Sequence, residues 1–518
     1  MKRGLRSTAN LILLSVAIAL LAIPAYGPVA SSAATQGKVV VVLAVDARSM
    51  NPIEDNVGPV QNIYYAMFDS LVYLGSDLKI QPGLAVSWKN LNARTWEFKL
   101  RQGVKFHNGE DFTAEDVQFT FDWLTAPEQA QTAAWSYYIK DFYAKSEIID
   151  SYTIRFILKK SDPLFLSRLA YYHMLPKDTF AKVGAGSFRL NPVGTGPYRF
   201  VEWVKDDHVT VEANPAYWGG APSIKTVVFK IIPDPATRIA ALQTGEVDLV
   251  YDVPPERAAE LRRDSKVRIE AIPGLRILFF AFNTRKPPFD NVRVRQAVNY
   301  AVDKRAIINR VLLGYGVQRA ATTSPPIAGY VPDLKPYPYD PEKAKELLRE
   351  AGFPNGFEFT LAAPRGRYLK DAEIAEAVAG QLAKVGITAN LFIRPWPTFW
   401  ERYLSPAKKE LGDGAFLAGF GNPALDADLT YDVLHRCDSY NGYYCNPHVD
   451  RLIASEQRLV TDQASRVKIL QQIERQLYNE AAWIFIGNYL NVYAVNARLV
   501  WKPSSDESIR LNRASLKP

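Results

Sequence analysis

The chain has 518 residues, 48% of them apolar and 12% aromatic, which supports a large core and more than one domain. Its 62 basic residues against 54 acidic ones give a formal charge of +8, and three of the basic residues fall within the first six positions. The rest is a mild excess with no basic block, which argues against nucleic-acid binding.

Lys2, Arg3 and Arg6 precede an apolar run, Leu11–Ile23, and then small residues at Ser32 and Ala34. This is the pattern of an export leader over 1–34, cleaved before Thr35, and the run is short for a bilayer span. No cysteine stands near that point, so a lipid anchor is not expected and the mature protein is expected free in the periplasm.

Lys38–Val45, KVVVVLAV, reads as a buried strand. Arg94–Leu100 and Thr153–Leu158 alternate as half-buried strands, the second after a turn at Asp150-Ser151. Between them, Gly103–Trp123 (GVKFHNGEDFTAEDVQFTFDW) reads as a glycine turn, a loop and a helix. Thr113 is its expected N-cap, with Glu115 and Asp116 in the first turn. Val193–Phe200 (VGTGPYRF) is a glycine turn entering a strand; Pro197 and a strand follow Gly196, where a phosphate loop needs a helix. Arg238–Asp248 (RIAALQTGEVD) is a short helix ending in a glycine turn.

Ile277–Asn283 (ILFFAFN) is strand-like, and Asn283–Arg310 (NTRKPPFDNVRVRQAVNYAVDKRAIINR) follows. Tyr339–Gly352 (YDPEKAKELLREAG) holds a helix capped by Asp340, opened by Pro341 and buried through Ala344, Leu347, Leu348 and Ala351. Phe357, Phe359 and Leu361 then alternate; a helix over 372–385 buries Ala375, Val378, Leu382 and Val385; Gly386 stops it; and Ile387, Ala389, Leu391 and Ile393 alternate again. Strand, helix, strand at this length predicts a parallel, right-handed crossover. Thr461–Tyr478 is a further amphipathic helix and Trp483–Val495 (WIFIGNYLNVYAV) a further strand.

Enzyme signatures are missing: there is no G-x-x-x-x-G-K-S/T, H-E-x-x-H or G-x-S-x-G. The S-x-x-K matches at Ser76–Lys79 and Ser405–Lys408 lack the companion motifs that such enzymes need. Cys437 and Cys445 flank the turn-rich DSYNGYY, and an oxidising compartment favours a disulfide over metal binding with the flanking His435 and His448. No metal site and no cofactor are expected.

Five segments in order, at 103–123, 193–200, 238–248, 283–310 and 339–352, resemble the dipeptide/oligopeptide-binding proteins of extracellular solute-binding family 5, which serve ABC importers. The resemblance covers nearly the whole mature chain. It implies an α/β fold of two lobes, of the periplasmic-binding-protein type II class (cluster C), with an inserted domain and a two-strand hinge. By that resemblance 36–76, 194–283 and 485–518 form lobe one, 77–193 the inserted domain and 284–484 lobe two, with the hinge at 277–283 and 485–495.

The implied role is capture of a small solute, foremost a di- or oligopeptide, by a monomer that delivers it to an inner-membrane ABC permease. An oligosaccharide or an opine-like or other carboxylated solute is the alternative ligand, and a sensor partner or an exported enzyme on the same fold the alternative class. Dipeptide-binding relatives hold the peptide amine with an Asp where this chain has Gly419, in Ala418–Pro423; Asp426 or Asp428 could replace it. An Arg after a strand grips the carboxylate in those relatives, and Arg367, beside Tyr368, matches better than Arg365. Trp396 leaves a strand at its C-terminal end, where open α/β sheets bind ligands. Phe420 and Asn422 from the next loop, Asn51, Asn62 and Tyr65 from the first lobe, and Asn283 and Asn488 on the hinge strands complete the expected ligand-binding set.

Overall fold

The computed structural model describes residues 37–517 except 56, 76, 128–138, 141, 405–411, 423, 440–442 and 457–461. The expected leader at 1–34 lies outside the described residues, as do Ser76 and Ser405–Lys408.

One mixed sheet organises the molecule. In chain order its main strands are β1 (Lys38–Leu43), β2 (Tyr198–Val204), β3 (His208–Ala213), β4 (Thr226–Ile231), β5 (Leu249–Tyr251), β6 (Val267–Phe282), β7 (Glu358–Arg365), β8 (Thr388–Pro395), β9 (Ala415–Gly421) and β10 (Trp483–Asn496). Across the sheet they run β8-β7-β9-β6-β10-β5-β1-β4-β3-β2, and a short strand at 316–318 pairs with β10.

β6 and β10 are the long central pair. Their runs of β-branched and aromatic residues suit a strand buried on both faces. They pair antiparallel at 267–273 with 490–496 and at 277–281 with 483–488, with a register break between Pro273 and Ile277. The late half of β10 borders β5, whereas β6 from Arg276 to Phe282 borders β9. Both strands therefore pass from one half of the sheet to the other. The core divides at the same place: Val39, Val41, Phe229 and Tyr493 pack in one cluster, and Leu278, Phe280, Leu361 and Ile484 in another. Phe279 and Trp483 stack across the pair with ring centres 3.5 Å apart. A separate antiparallel sheet, 85–92, 95–100, 153–158 and 143–150 in that order, carries the helix Ala114–Thr125. Among the described residues no helix is long and apolar enough to cross a membrane.

The sequence motifs hold this frame together. Thr113 caps its helix as expected, its Oγ1 accepting from the Glu115 N–H at 3.2 Å while Asp116 accepts from the Thr113 N–H at 2.8 Å. His107 joins the first motif to the second: the Gly194 N–H donates to its Nδ1 at 3.3 Å, and its Nε2 lies 3.0 Å from the Gly196 carbonyl. Burial pushes its pKa down to about 4, so the ring is neutral, with the one acceptor and one donor that this arrangement needs. A Cβ at Gly194 would stand 2.1 Å from the Met67 carbonyl oxygen, so the turn is a packing device. Asp248 of the third motif accepts from the Val40 N–H at 2.9 Å and from Arg498 at 2.7 and 2.8 Å, tying β1 to the chain beyond β10. In the fourth, Asn299 donates to the Trp483 carbonyl and clasps its helix to the start of β10.

β7 and β8 pair in parallel through the helix Asp371–Leu382, and Gly386 takes the left-handed conformation at its end. Leu391, expected to face inward, is 43% exposed, because β8 is the edge of the sheet.

Cys437 and Cys445 are bridged. His435 is buried with its ring 4.5 Å from that of Trp483, and His448 is exposed. Thiol labelling without reductant is expected to find no free cysteine, and reduction to cost no more than about 2–3 kcal/mol, since the closed loop is short. Two reactive thiols on the oxidised protein would contradict the bridge.

Candidate functional site

A cavity of about 330 Å³ opens where distant segments meet. Its walls are Gly58, Gln61, Asn62 and Tyr65 of the helix Gly58–Met67, Ser167, Arg168, Tyr171 and Tyr172, Leu275 and Arg276 at the register break of β6, Arg367 after β7, Gly421, Asn422, Ala424 and Leu429, and the loop Ser505–Ser508. Leu164 packs with Ala424 and Leu429, so the segment before Ser167 touches the opposite wall beside the cavity. Lys370 adds an ion pair to Glu256 at 3.0 Å.

Four of the expected residues reach the cavity: Asn62, Tyr65, Arg367 and Asn422. Asn62 accepts from the Ile509 N–H at 2.7 Å, anchoring the end of the 505–508 loop. The Tyr65 ring lies 4.7 Å from the Arg510 guanidinium. Arg367 is exposed; its guanidinium sits 5.1 Å from the Tyr368 ring centre and 5.2 Å from that of Trp396, and its backbone N–H donates to Asp371 at 2.9 Å at the start of the next helix. Asn422 donates through Nδ2 to the Asp426 carbonyl at 2.6 Å and to Thr430 at 2.9 Å.

The others stand elsewhere. Tyr368 is buried edge-on to Trp396, and both lie behind Arg367 as a cradle for its charge. Phe420 packs partly buried against neighbouring clusters. Asn51 is buried and donates to Glu54. Asn283 spends its amide on the Gly412 carbonyl at 2.9 Å. Asn488 donates to the carbonyls of Gly274 and Arg276, both at 3.0 Å, and so pins the backbone at the break in β6.

Neither candidate for the amine-binding acid is a loose carboxylate at the wall. Asp426 receives two bonds from Arg466, at 2.6 and 2.7 Å, and caps the helix Ala427–Leu434. Asp428 is buried in the electrostatic field of Arg168. At Gly419 itself a Cβ would come within 2.8 Å of the Tyr368 ring.

Arg168, Tyr171, Arg276 and the 505–508 loop escaped the sequence reading. Arg276 left one signal, a lone guanidinium at the head of the apolar run ILFFAF. Arg168 and Tyr171 sit in a mainly buried apolar run, SRLAYY, that reads as core, and Ser505–Ser508 in a short polar loop.

A family profile described as Bacterial extracellular solute-binding proteins, family 5 Middle, matches residues 79–441. The chain belongs to that family. It is 34% identical over 449 residues to Heme-binding protein A of Haemophilus influenzae, covering 81% of each chain. It is 31% identical over 460 residues to the Glutathione-binding protein GsiB of Pectobacterium atrosepticum, covering 87% of this chain and 88% of that one. The crystal structure of a dipeptide-binding protein from Pseudoalteromonas sp. SM9913 with Met-Leu superposes with a TM-score of 0.78 at 26% identity, over 93% of this chain and all of that one. The fold is thus that of the two-lobed periplasmic binding proteins, with mixed α/β content. The protein is a periplasmic solute-binding component working with an ABC permease, and not an enzyme.

Proposed function

We propose that the captured solute is a short, carboxylate-bearing peptide or a close chemical likeness of one. One observation carries this reading. Two residues that line the cavity together with Arg367, Gln61 and Asn422, each keep a buried amide oxygen, Oε1 and Oδ1, without a hydrogen-bond partner among the described residues. A buried acceptor without a donor costs about 1–3 kcal/mol, so the site favours a ligand rich in N–H groups. A guanidinium fork favours a carboxylate. A peptide supplies both. The volume is at the low end of the roughly 300–1,000 Å³ usual for small-molecule sites, which suits a short peptide better than a long one. The Met-Leu complex of one relative and the glutathione of another's name agree in kind.

In this reading the ligand favours the closed over the open state and shifts that population by bending β6 and β10. Residues 1–34 act as a cleaved leader, without a lipid anchor, and the mature protein works as a monomer with no nucleic-acid partner. Native mass spectrometry of protein purified from its own host is expected to show an adduct in the mass range of a di- or tripeptide, released on denaturation. An adduct with the composition of a sugar would overturn the peptide reading.

A further inference from the structure

At Gly419, where the family resemblance implies an acid, a guanidinium lies against the strand instead. Arg276 pairs in register with Gly421, and a Cβ on Gly421 would stand 3.4 Å from its guanidinium. Arg276 Nη1 donates to the Gly419 carbonyl at 3.2 Å, and the Tyr368 hydroxyl lies 3.4 Å from the same oxygen. Gly419 and Gly421, two apart on β9, face the same side. The first makes room for the Tyr368 ring, and the second lies in ordinary contact with the Arg276 side chain. Asn488 holds the Arg276 carbonyl, which sets where this residue leaves the strand.

Arg276 and Arg367 therefore flank one tyrosine, Arg276 at its hydroxyl end and Arg367 over its ring. The other charges of the cavity are committed or loose. Arg168 is bonded to Asp162 at 2.9 Å, and Asp506 accepts from Ser508. Glu507 approaches Arg276 only to 4.0 Å, with a side chain 43% exposed, and the Asp252 carboxylate also acts on the guanidinium, so an anionic group of the solute competes with these two acids for it.

We propose that Arg276 is a specificity-determining residue that, with Arg367, selects solutes carrying two anionic groups about one tyrosine apart. The proposal rests on the peptide reading above. Its test is titration calorimetry with Ala-Glu and Ala-Gln, which have nearly the same shape and differ by one negative charge.

The wild-type protein is expected to prefer Ala-Glu by about tenfold or more, the value of one charge-assisted pair. Arg276→Gln is expected to bring that ratio close to one, and Arg276→Lys, which keeps the charge and loses the fork, to leave it in between. Thermal melts of both variants check that they fold, and Arg276→Lys decides if Arg276→Gln does not. Equal affinity of the wild type for the two peptides, or an undiminished preference in the variants, overturns the proposal and leaves the peptide reading standing. Failure of the wild type to bind either peptide overturns both.

Discussion

Replacing Arg466 with alanine is expected to lower the stability of the protein by about 3–5 kcal/mol. The side chain is fully buried and bonds Asp426 through both terminal nitrogens; Asp426 is itself 6% exposed. Without the guanidinium, a carboxylate stays in the interior with its main donors gone, and that residual charge dominates the cost. Urea unfolding should show a lower midpoint at an unchanged slope. The double substitution Asp426→Asn with Arg466→Met should recover much of the loss, because removing both charges removes the penalty. A loss under about 1 kcal/mol in the single variant would mean that water reaches the carboxylate. The effect extends to binding: Asp426 caps the helix Ala427–Leu434, and its carbonyl holds the Asn422 amide at the cavity wall.

Arg367→Ala is expected to weaken binding of a carboxylated peptide by about tenfold to a hundredfold. The guanidinium is exposed, so water competes for it and the lower end of that range is the better estimate. Its position at the start of the helix Asp371–Leu382, against the faces of Tyr368 and Trp396, keeps the charge in place at small entropic cost. Calorimetry on one peptide in free, N-acetylated and C-amidated forms separates the two ends of the ligand. Amidation should cost far more than acetylation, because Arg276 and Arg367 line the cavity while its two acids are engaged, Asp506 by Ser508 and Glu507 toward Arg276. The opposite ranking would mean that Asp506 or Glu507 anchors an amine.

The helices after Asp340 and over 461–478 and the β7–helix–β8 unit were legible from periodicity, because their buried faces repeat at 3.6 and 2 residues; helices such as Gly58–Met67 and Ala427–Leu434 were not. The apolar ends of β6 and β10 were legible as well. The first half of β6 was not: residues 267–276 contain Pro273 and Gly274, which read locally as a turn, and only pairing with β10 makes them a strand. Among site residues, Arg367 and Asn422 could be placed near a site through the family resemblance, and Asn62 and Tyr65 through their position after the first strand. Asn283 and Asn488 were expected in the binding set because they sit on the two hinge strands that the family resemblance implies. In the fold their amides serve backbone carbonyls at the strand break and at Gly412. Ser167–Tyr172 and Ser505–Ser508 carried no signal, since their place depends on segments hundreds of residues apart closing over one space.

Gly419 also makes ligand choice an epistatic property. An aspartate introduced there meets the Tyr368 ring at its first carbon, 2.8 Å away, so the ring must shift to admit it. Trimming Tyr368 first would open the space, but it would remove one of the two rings beneath Arg367. Each single step from this site toward an amine-holding one passes through a weaker binder. The two positions are therefore coupled, and the effect of a change at one depends on the residue at the other.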